Sequence, residues 1–212
     1  GLHADRRLTV EADGKRLHPD IISYLEAGCG FGGSCLPKDV EALIAFAKDK
    51  GEKVPLLESV MEVNKQQPLR LIAILRSVYP EAKGKTIAVL GLAFKPGTDD
   101  MRESPAIPVV NALLEAGAEV VAYDPLVKEE FDKQLSGSIR HAASWEDAIR
   151  NADAAIIVTR WTEFNDITQE KIKSLMRHPL LIDGRRMLHR ENFAADSYRG
   201  VGYTPETRKH GK

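Results

Sequence analysis

Three side chains close together could share one reaction: Cys35, Lys38 and Asp39, within the stretch Gly28-Cys29-Gly30-Phe31-Gly32-Gly33-Ser34-Cys35-Leu36-Pro37-Lys38-Asp39. A thiolate is a nucleophile, so the chemistry this cluster suits is nucleophilic catalysis. After Pro37, a favoured first-turn residue, Val40, Leu43, Ile44, Phe46 and Ala47 recur at helical spacing and Gly51 supplies a stop. That spacing predicts a helix with Cys35 at its N-terminus. Unpaired N–H groups and the macrodipole favour a thiolate there, and Lys38 adds a positive charge about one turn away. Gly30, Gly32 and Gly33 would let the backbone approach a ligand closely, while Lys38 and Asp39 form an acid/base pair beside the sulfur. A cysteine taken alone reads more often as a small buried hydrophobe than as a catalyst, and its neighbours are what bring the two readings level. Cys29, with no Pro-Lys-Asp after it, is expected to be dispensable for the chemistry.

A second set of charges follows short apolar runs. Thr86 to Leu90, Glu119 to Tyr123, Ala154 to Val158 and Leu180 to Ile182 read as buried strands, with Ile139 to Ala142 and Val201 to Tyr203 as weaker ones. Helical segments fall between them at Ser104 to Ala116, Trp145 to Asn151 and Gln169 to Met176. This alternation predicts a doubly wound parallel sheet, in which ligands bind beyond the carboxyl ends of the strands. Lys95 and Arg102 follow the first strand, ahead of a helix start at Ser104 and Pro105. They suit an anionic phosphate group, or else form a solvated loop. No G-x-G-x-x-G occurs in the chain, which argues against an ordinary dinucleotide site in this sheet. Asp124, after the second strand, reads as a structural turn residue, and Trp161 as packing. Arg185 and Arg186 follow Asp183-Gly184, either solvated or turned to a ligand.

Upstream, Gly1 to Asp20 is rich in charge and turn formers, with a turn read at Ala12 to Lys15. From Pro55 to Tyr79 the apolar positions Leu57, Val60, Met61, Leu71, Ile72 and Leu75 predict one long helix bent or broken at Pro68. Its stripe needs a cover, from within the fold or from the same helix of a second chain. Asn64 and Gln67 interrupt the stripe without an evident role. The polar run Tyr79 to Lys85 marks a boundary, giving a central helical region over 1–83 and an α/β domain over 84–212.

Composition narrows the function classes. With 30 basic against 31 acidic side chains and 43% hydrophobic residues, the chain suits a soluble globular protein and offers no broad charge for nucleic acid. Two cysteines in one turn imply no disulfide framework and fit a reducing cytoplasm. No apolar run is long enough for a bilayer, and no signal peptide is read. The absence of an initiating methionine is what a piece of a longer protein would show.

The strings GFGGSCLPKDV, GLAFKPGTDDMRESP and Asp183-Gly184-Arg185-Arg186 closely resemble motifs of the UDP-glucose/GDP-mannose 6-dehydrogenases, and the likeness covers the second half of a complete family member. The resemblance implies a helical segment with an active-site loop and a long connecting helix, followed by a Rossmann-like UDP-sugar-binding domain. It implies NAD-dependent, two-step oxidation of UDP-glucose to UDP-glucuronate, with NAD held mainly by a domain absent from these residues. Catalytic roles fall on Cys35, Lys38 and Asp39. Substrate contacts fall on Tyr24, Gly30, Phe31, Gly32, Lys95 and the pair Arg185 and Arg186, with Arg186 favoured; cofactor contacts fall on Gly33 and Arg102. No metal is implied, and a homodimer through the long helix is. GDP-mannose or a UDP-N-acetylhexosamine is the alternative substrate, and a nucleotide-sugar-binding module without activity is the alternative for the chain as it stands. Leu17-His18-Pro19-Asp20 stands where many relatives carry an Arg-Ile-Gly segment whose arginine reaches a neighbouring subunit's substrate.

Overall fold

The computed structural model describes residues 10–12, 15–17 and 27–202. Tyr24, the Leu17-His18-Pro19-Asp20 motif beyond its first residue and the end of the strand expected at Val201 to Tyr203 lie outside them. A short antiparallel pair comes first, β1 (Val10–Ala12) with β2 (Lys15–Leu17), in which Ala12 faces Lys15 across the expected turn.

The helix predicted after the cysteine loop is α1 (Leu36–Asp49), with Cys35 at its N-cap and Pro37 in its first turn. Gly51, at φ +74°, follows it. The long helix is α2 (Pro55–Val78), and it runs as one α-helix through Pro68 instead of breaking there. Proline costs a helix one hydrogen bond and some crowding. Burial of the turn beyond it offsets this: Leu71, Ile72 and Leu75, at most 5% exposed, pack in the same cluster as Ile87 and Leu113. The second half of α2 therefore shares a core with the α/β unit that follows it.

Six parallel strands follow: β3 (Thr86–Leu90), β4 (Glu119–Tyr123), β5 (Arg140–His141), β6 (Ala154–Ile157), β7 (Leu181–Asp183) and β8 (Tyr198–Gly200). Their order is β5-β4-β3-β6-β7-β8, all pairs parallel. The order reverses direction between β3 and β6, the place where such sheets open a crevice. The last strand precedes the expected position: Tyr198, buried, sends its hydroxyl to Asp183 on β7, which sets the pairing. The helices are α3 (Ala106–Glu115), α4 (Trp145–Ile149) and α5 (Gln169–Leu175). Ser144 and Thr168 cap α4 and α5 through their hydroxyl oxygens, satisfying N–H groups that a helix start leaves open.

Side chains alternate between the two faces of the sheet, as pleated strands require. Ile87 and Val89 pack with α2 and α3, while Ala88, Leu90 and Val121 pack with Trp145, Ile149 and Ile172 of α4 and α5. Covering both faces explains why β6, and β3 after Thr86, are apolar throughout. None of the described helices is long and apolar enough to cross a membrane.

Asp124 closes the carboxyl end of the sheet. Its Oδ2 accepts from Leu92 N (2.7 Å), Ala93 N (3.0 Å) and the indole Nε1 of Trp161 (3.0 Å), and its Oδ1 from Leu126 N and Val127 N (2.9 Å each). The turn role read for Asp124 and the packing role read for Trp161 thus meet in one contact. Asp124→Ala is expected to cost about 3 kcal/mol or more in urea unfolding, since a buried donor left unsatisfied costs roughly 1–3 kcal/mol. Asp124→Asn should cost less, because one acceptor oxygen remains. A loss below about 1 kcal/mol for the alanine variant would show that water can take over the five donors.

Candidate active site

A cavity of about 830 Å³ lies where the cysteine loop, the first half of α2 and the carboxyl ends of β3, β6 and β7 meet. Gly28, Gly30, Phe31 and Gly32 give it one wall, Val60, Val63, Asn64 and Gln67 of α2 a second. Phe94 and Lys95 after β3, Thr159 and Arg160 after β6, and Arg185 after β7 form the floor. This is the crevice expected at the point where strand order reverses.

The loop is tied to the sheet by backbone groups. Cys29 N donates to Gly184 O (2.9 Å) and Gly33 N to Arg102 O (2.9 Å). The Arg185 guanidinium donates through Nη1 to Gly30 O (2.9 Å) and through Nε to Val158 O (2.6 Å). On the helix side, the Asn64 carboxamide takes both backbone groups of Phe31: Phe31 N donates to Oδ1 (2.8 Å) and Nδ2 donates to Phe31 O (3.0 Å).

Two of the loop glycines approach the protein itself closely. A Cβ on Gly32 would come within 2.1 Å of Glu103 O, and one on Gly33, at φ +86°, within 2.6 Å of the Phe94 ring. Their lack of a side chain lets the loop seat on the segment after β3. Gly30 and Gly32 still line the cavity, whereas Gly33 does not.

Cys35 is exposed, next to the cavity-lining Leu36, with Ser34 Oγ 3.8 Å from its sulfur. Cys29 is fully buried, its sulfur 3.6 Å from Val158 O, and burial pushes its thiol above the usual range. The two cysteines therefore part company: one is core, the other is available. Lys38 and Asp39 pair with each other at 3.2 Å, both well exposed on the first turn of α1. Asp100 grips Arg102 through two contacts of 3.0 and 2.7 Å. This bond holds the Asp100 carboxyl below its usual range and the guanidinium firmly charged, with the negative charge Cys35 carries when ionised adding to the latter.

The loop holding Lys95 and Arg102 is thus ordered against the sheet. Ser104 donates to Leu92 O and accepts from Ala106 N, and α3 starts at Ala106, later than expected, because Pro105 occupies the cap. Lys95 lies at the cavity with its ammonium 5.5 Å over the Phe94 ring. Arg185 also lines the cavity while clamping the loop; Arg186, at φ +51°, does not line it. Asn64, Gln67 and Arg160 are wall residues that reading the sequence left without a role. The one signal was a polar pair interrupting an apolar stripe. Among the described residues no cluster of His, Cys, Asp and Glu is arranged to hold a metal.

In this sheet the groups that a dinucleotide site uses are engaged with one another. In dinucleotide folds the N–H groups after the first strand meet the pyrophosphate and an acid after the second meets ribose. Here Leu92 N, Ala93 N and Asp124 satisfy one another.

Residues 88–190 match the UDP-binding domain of the UDP-glucose/GDP-mannose dehydrogenase family, and residues 10–66 match its central domain. The UDP-glucose 6-dehydrogenase AglM of Haloferax volcanii is 47% identical over 168 residues, taking in 79% of this chain and 38% of that protein. The UDP-glucose 6-dehydrogenase TuaD of Bacillus subtilis is 40% identical over 188 residues, 88% of this chain and 41% of that protein. Among solved structures, a UDP-glucose dehydrogenase from Pyrobaculum islandicum matches with a TM-score of 0.69 at 32% identity, over 81% of this chain and 40% of the other. A UDP-D-ManNAc dehydrogenase from Pyrococcus horikoshii matches with a TM-score of 0.70 at 35% identity, over 82% and 39%. The chain spans about two-fifths of the length of these relatives. It carries the central and UDP-binding domains of the UDP-glucose/GDP-mannose dehydrogenase family, and belongs to that family.

Proposed function

We propose that the chain is the thiol-bearing and nucleotide-sugar-binding part of an NAD-dependent UDP-glucose 6-dehydrogenase, working in the cytoplasm. The observation that carries this is an exposed thiol at a helix start, next to a cavity whose floor presents Lys95, Arg160 and Arg185. A nucleotide sugar lying there has its diphosphate over the cations at the strand ends, where charge-assisted hydrogen bonds are strong, and its sugar toward the loop. Tyr24, Gly30, Phe31 and Gly32 complete the substrate contacts on this reading, with Arg185 in the place that the resemblance gives to Arg186.

NAD fits this chain only at its edge, at Gly33 and at Arg102, whose side chain is 68% exposed and braced by Asp100. Bound there by the remainder of a longer protein, it would supply the hydride acceptor. The work of this chain is at C6 of the sugar. Once C6 is an aldehyde, the Cys35 sulfur adds to it and the carbonyl oxygen takes a proton, giving a thiohemiacetal. Loss of a hydride from C6 and of the hydroxyl proton leaves a thioester on Cys35. Water, oriented by Asp39, attacks the acyl carbon; the C–S bond breaks, the uronate leaves and the thiol is regenerated. Lys38 lowers the cost of negative charge beside the sulfur. Thus one alcohol and one water yield one carboxylate, with two hydrides and three protons released.

A UDP-N-acetylhexosamine is the second reading, favoured by the likeness to the Pyrococcus enzyme. A dimer completes the first. Leu56, Val60 and Val63 of α2, which also line the cavity, are 76, 39 and 56% exposed, and the same helix of a second chain would cover apolar side chains this bare. Sedimentation should give twice the chain mass at micromolar concentration, and a monomer there would remove the dimer from the proposal.

In the longer enzyme Cys35→Ser should abolish uronate formation while sparing UDP-glucose binding, and Cys29→Ala should leave turnover within about threefold of the parent, its thiol being core. Turnover near that of the parent in the Cys35→Ser variant would refute the thiol's role. Calorimetry on this chain alone should detect UDP-glucose, with Lys95→Ala weakening it roughly tenfold or more from loss of one charge-assisted bond. NAD bound as tightly as the sugar nucleotide, or NADH formed by this chain alone, would mean that the hydride acceptor sits elsewhere.

A further inference from the structure

We infer that Asn64 is a positioning residue: from α2 it fixes the backbone of Phe31, and with it the loop that ends at Cys35. The catalytic part of this inference rests on the reading above; the structural part stands without it.

Phe31 is four residues before the thiol. Its N–H and its C=O both go to one carboxamide, at 2.8 and 3.0 Å, across 33 residues of sequence. A primary amide is the side chain that offers a donor and an acceptor side by side, as a neighbouring strand would. The other anchors of the loop, at Cys29, Gly30 and Gly33, come from the sheet side: Gly184 O, the Arg185 guanidinium and Arg102 O. Asn64 opposes them from the helix side, so the loop is gripped between two supports.

Two further features fit this role. Asn64 faces the loop so closely that a Cβ on Gly30 would lie 3.0 Å from its Oδ1 and 3.3 Å from its carbonyl oxygen. Pro68, four residues on inside α2, has no N–H, so the Asn64 carbonyl lacks the donor that an uninterrupted helix would give it. The helix thus carries its proline where the turn it weakens is the one turned to the loop. This also accounts for a polar side chain on the inward stripe between Met61 and Leu71.

The test uses Asn64→Ala and Asn64→Asp. Aspartate keeps the shape and the acceptor for Phe31 N, but sets a carboxylate against Phe31 O. If packing alone mattered, the aspartate variant would behave as the parent. In this chain, amide hydrogen exchange at Phe31 should speed up at least about tenfold in Asn64→Ala and by a smaller factor in Asn64→Asp, which keeps the acceptor, with the amides of β3 unchanged as a control for folding. In the longer enzyme kcat should fall roughly tenfold to a hundredfold, the cost of a thiol misplaced by about 1 Å, a larger change than any rise in KM for UDP-glucose. Unchanged exchange at Phe31 in both variants would overturn the clamp. Faster exchange with unchanged kcat would overturn its catalytic consequence. Failure of the parent chain to bind UDP-glucose would remove the functional reading, while the exchange measurement would still decide whether Asn64 holds the loop.

Discussion

The carboxyl group of Asp124 is the contact on which the rest is built. Five N–H groups from three segments converge on its two oxygens, and burial makes each bond costly to lose. Because Leu92 and Ala93 are fixed there, Phe94 and Lys95 leave the sheet in a set direction. Phe94 and Glu103 then offer the surface on which Gly32 and Gly33 sit, and the loop so seated delivers Cys35 to the start of α1. A dinucleotide-type strand order is kept while the turn that would hold a pyrophosphate is filled by the protein's own carboxyl. Strand order alone does not name the ligand; that reading depends on the residues at the strand ends.

The cavity draws its character from two unlike supports. The sheet side is polar and cationic, and its groups are held by the ends of parallel strands that cannot shift without disturbing a core covered on both faces. The helix side is apolar apart from Ser59, Asn64 and Gln67. Helix α2, 24 residues and thus about 36 Å long, belongs to both supports. Its second half is core against β3 and α3, and its first half is cavity wall.

Much of this could be read in the sequence. Thr86 to Leu90 and Glu119 to Tyr123 are strands at the expected bounds, because a parallel strand buried on both faces needs an unbroken apolar run. The helix start at Cys35 was legible from Pro37 and the spacing after it. What was missed is non-local. The pairing of Asn64 with Phe31 spans 33 residues and leaves no local pattern. Glycines announce that something approaches closely without saying what; at Gly32 it is the carbonyl of Glu103, 71 residues away in sequence. Pro68 alone would bend or break α2, and burial of Leu71, Ile72 and Leu75 outweighs it. The edge strand Tyr198–Gly200 is short and half polar, so its place depends on a hydroxyl reaching Asp183 and not on any periodicity.

The unequal placing of the two cysteines makes the chain its own reporter. One sulfur is at the surface and the other has no exposure at all, and there are no further thiols in the sequence. A maleimide dye added under native conditions therefore labels a single address, at the head of α1. A second equivalent reacts only when the loop leaves Gly184 and Val158 and opens the core. The ratio of the two labels reads the fraction of molecules whose loop is docked, without a substrate, a cofactor or an added probe site.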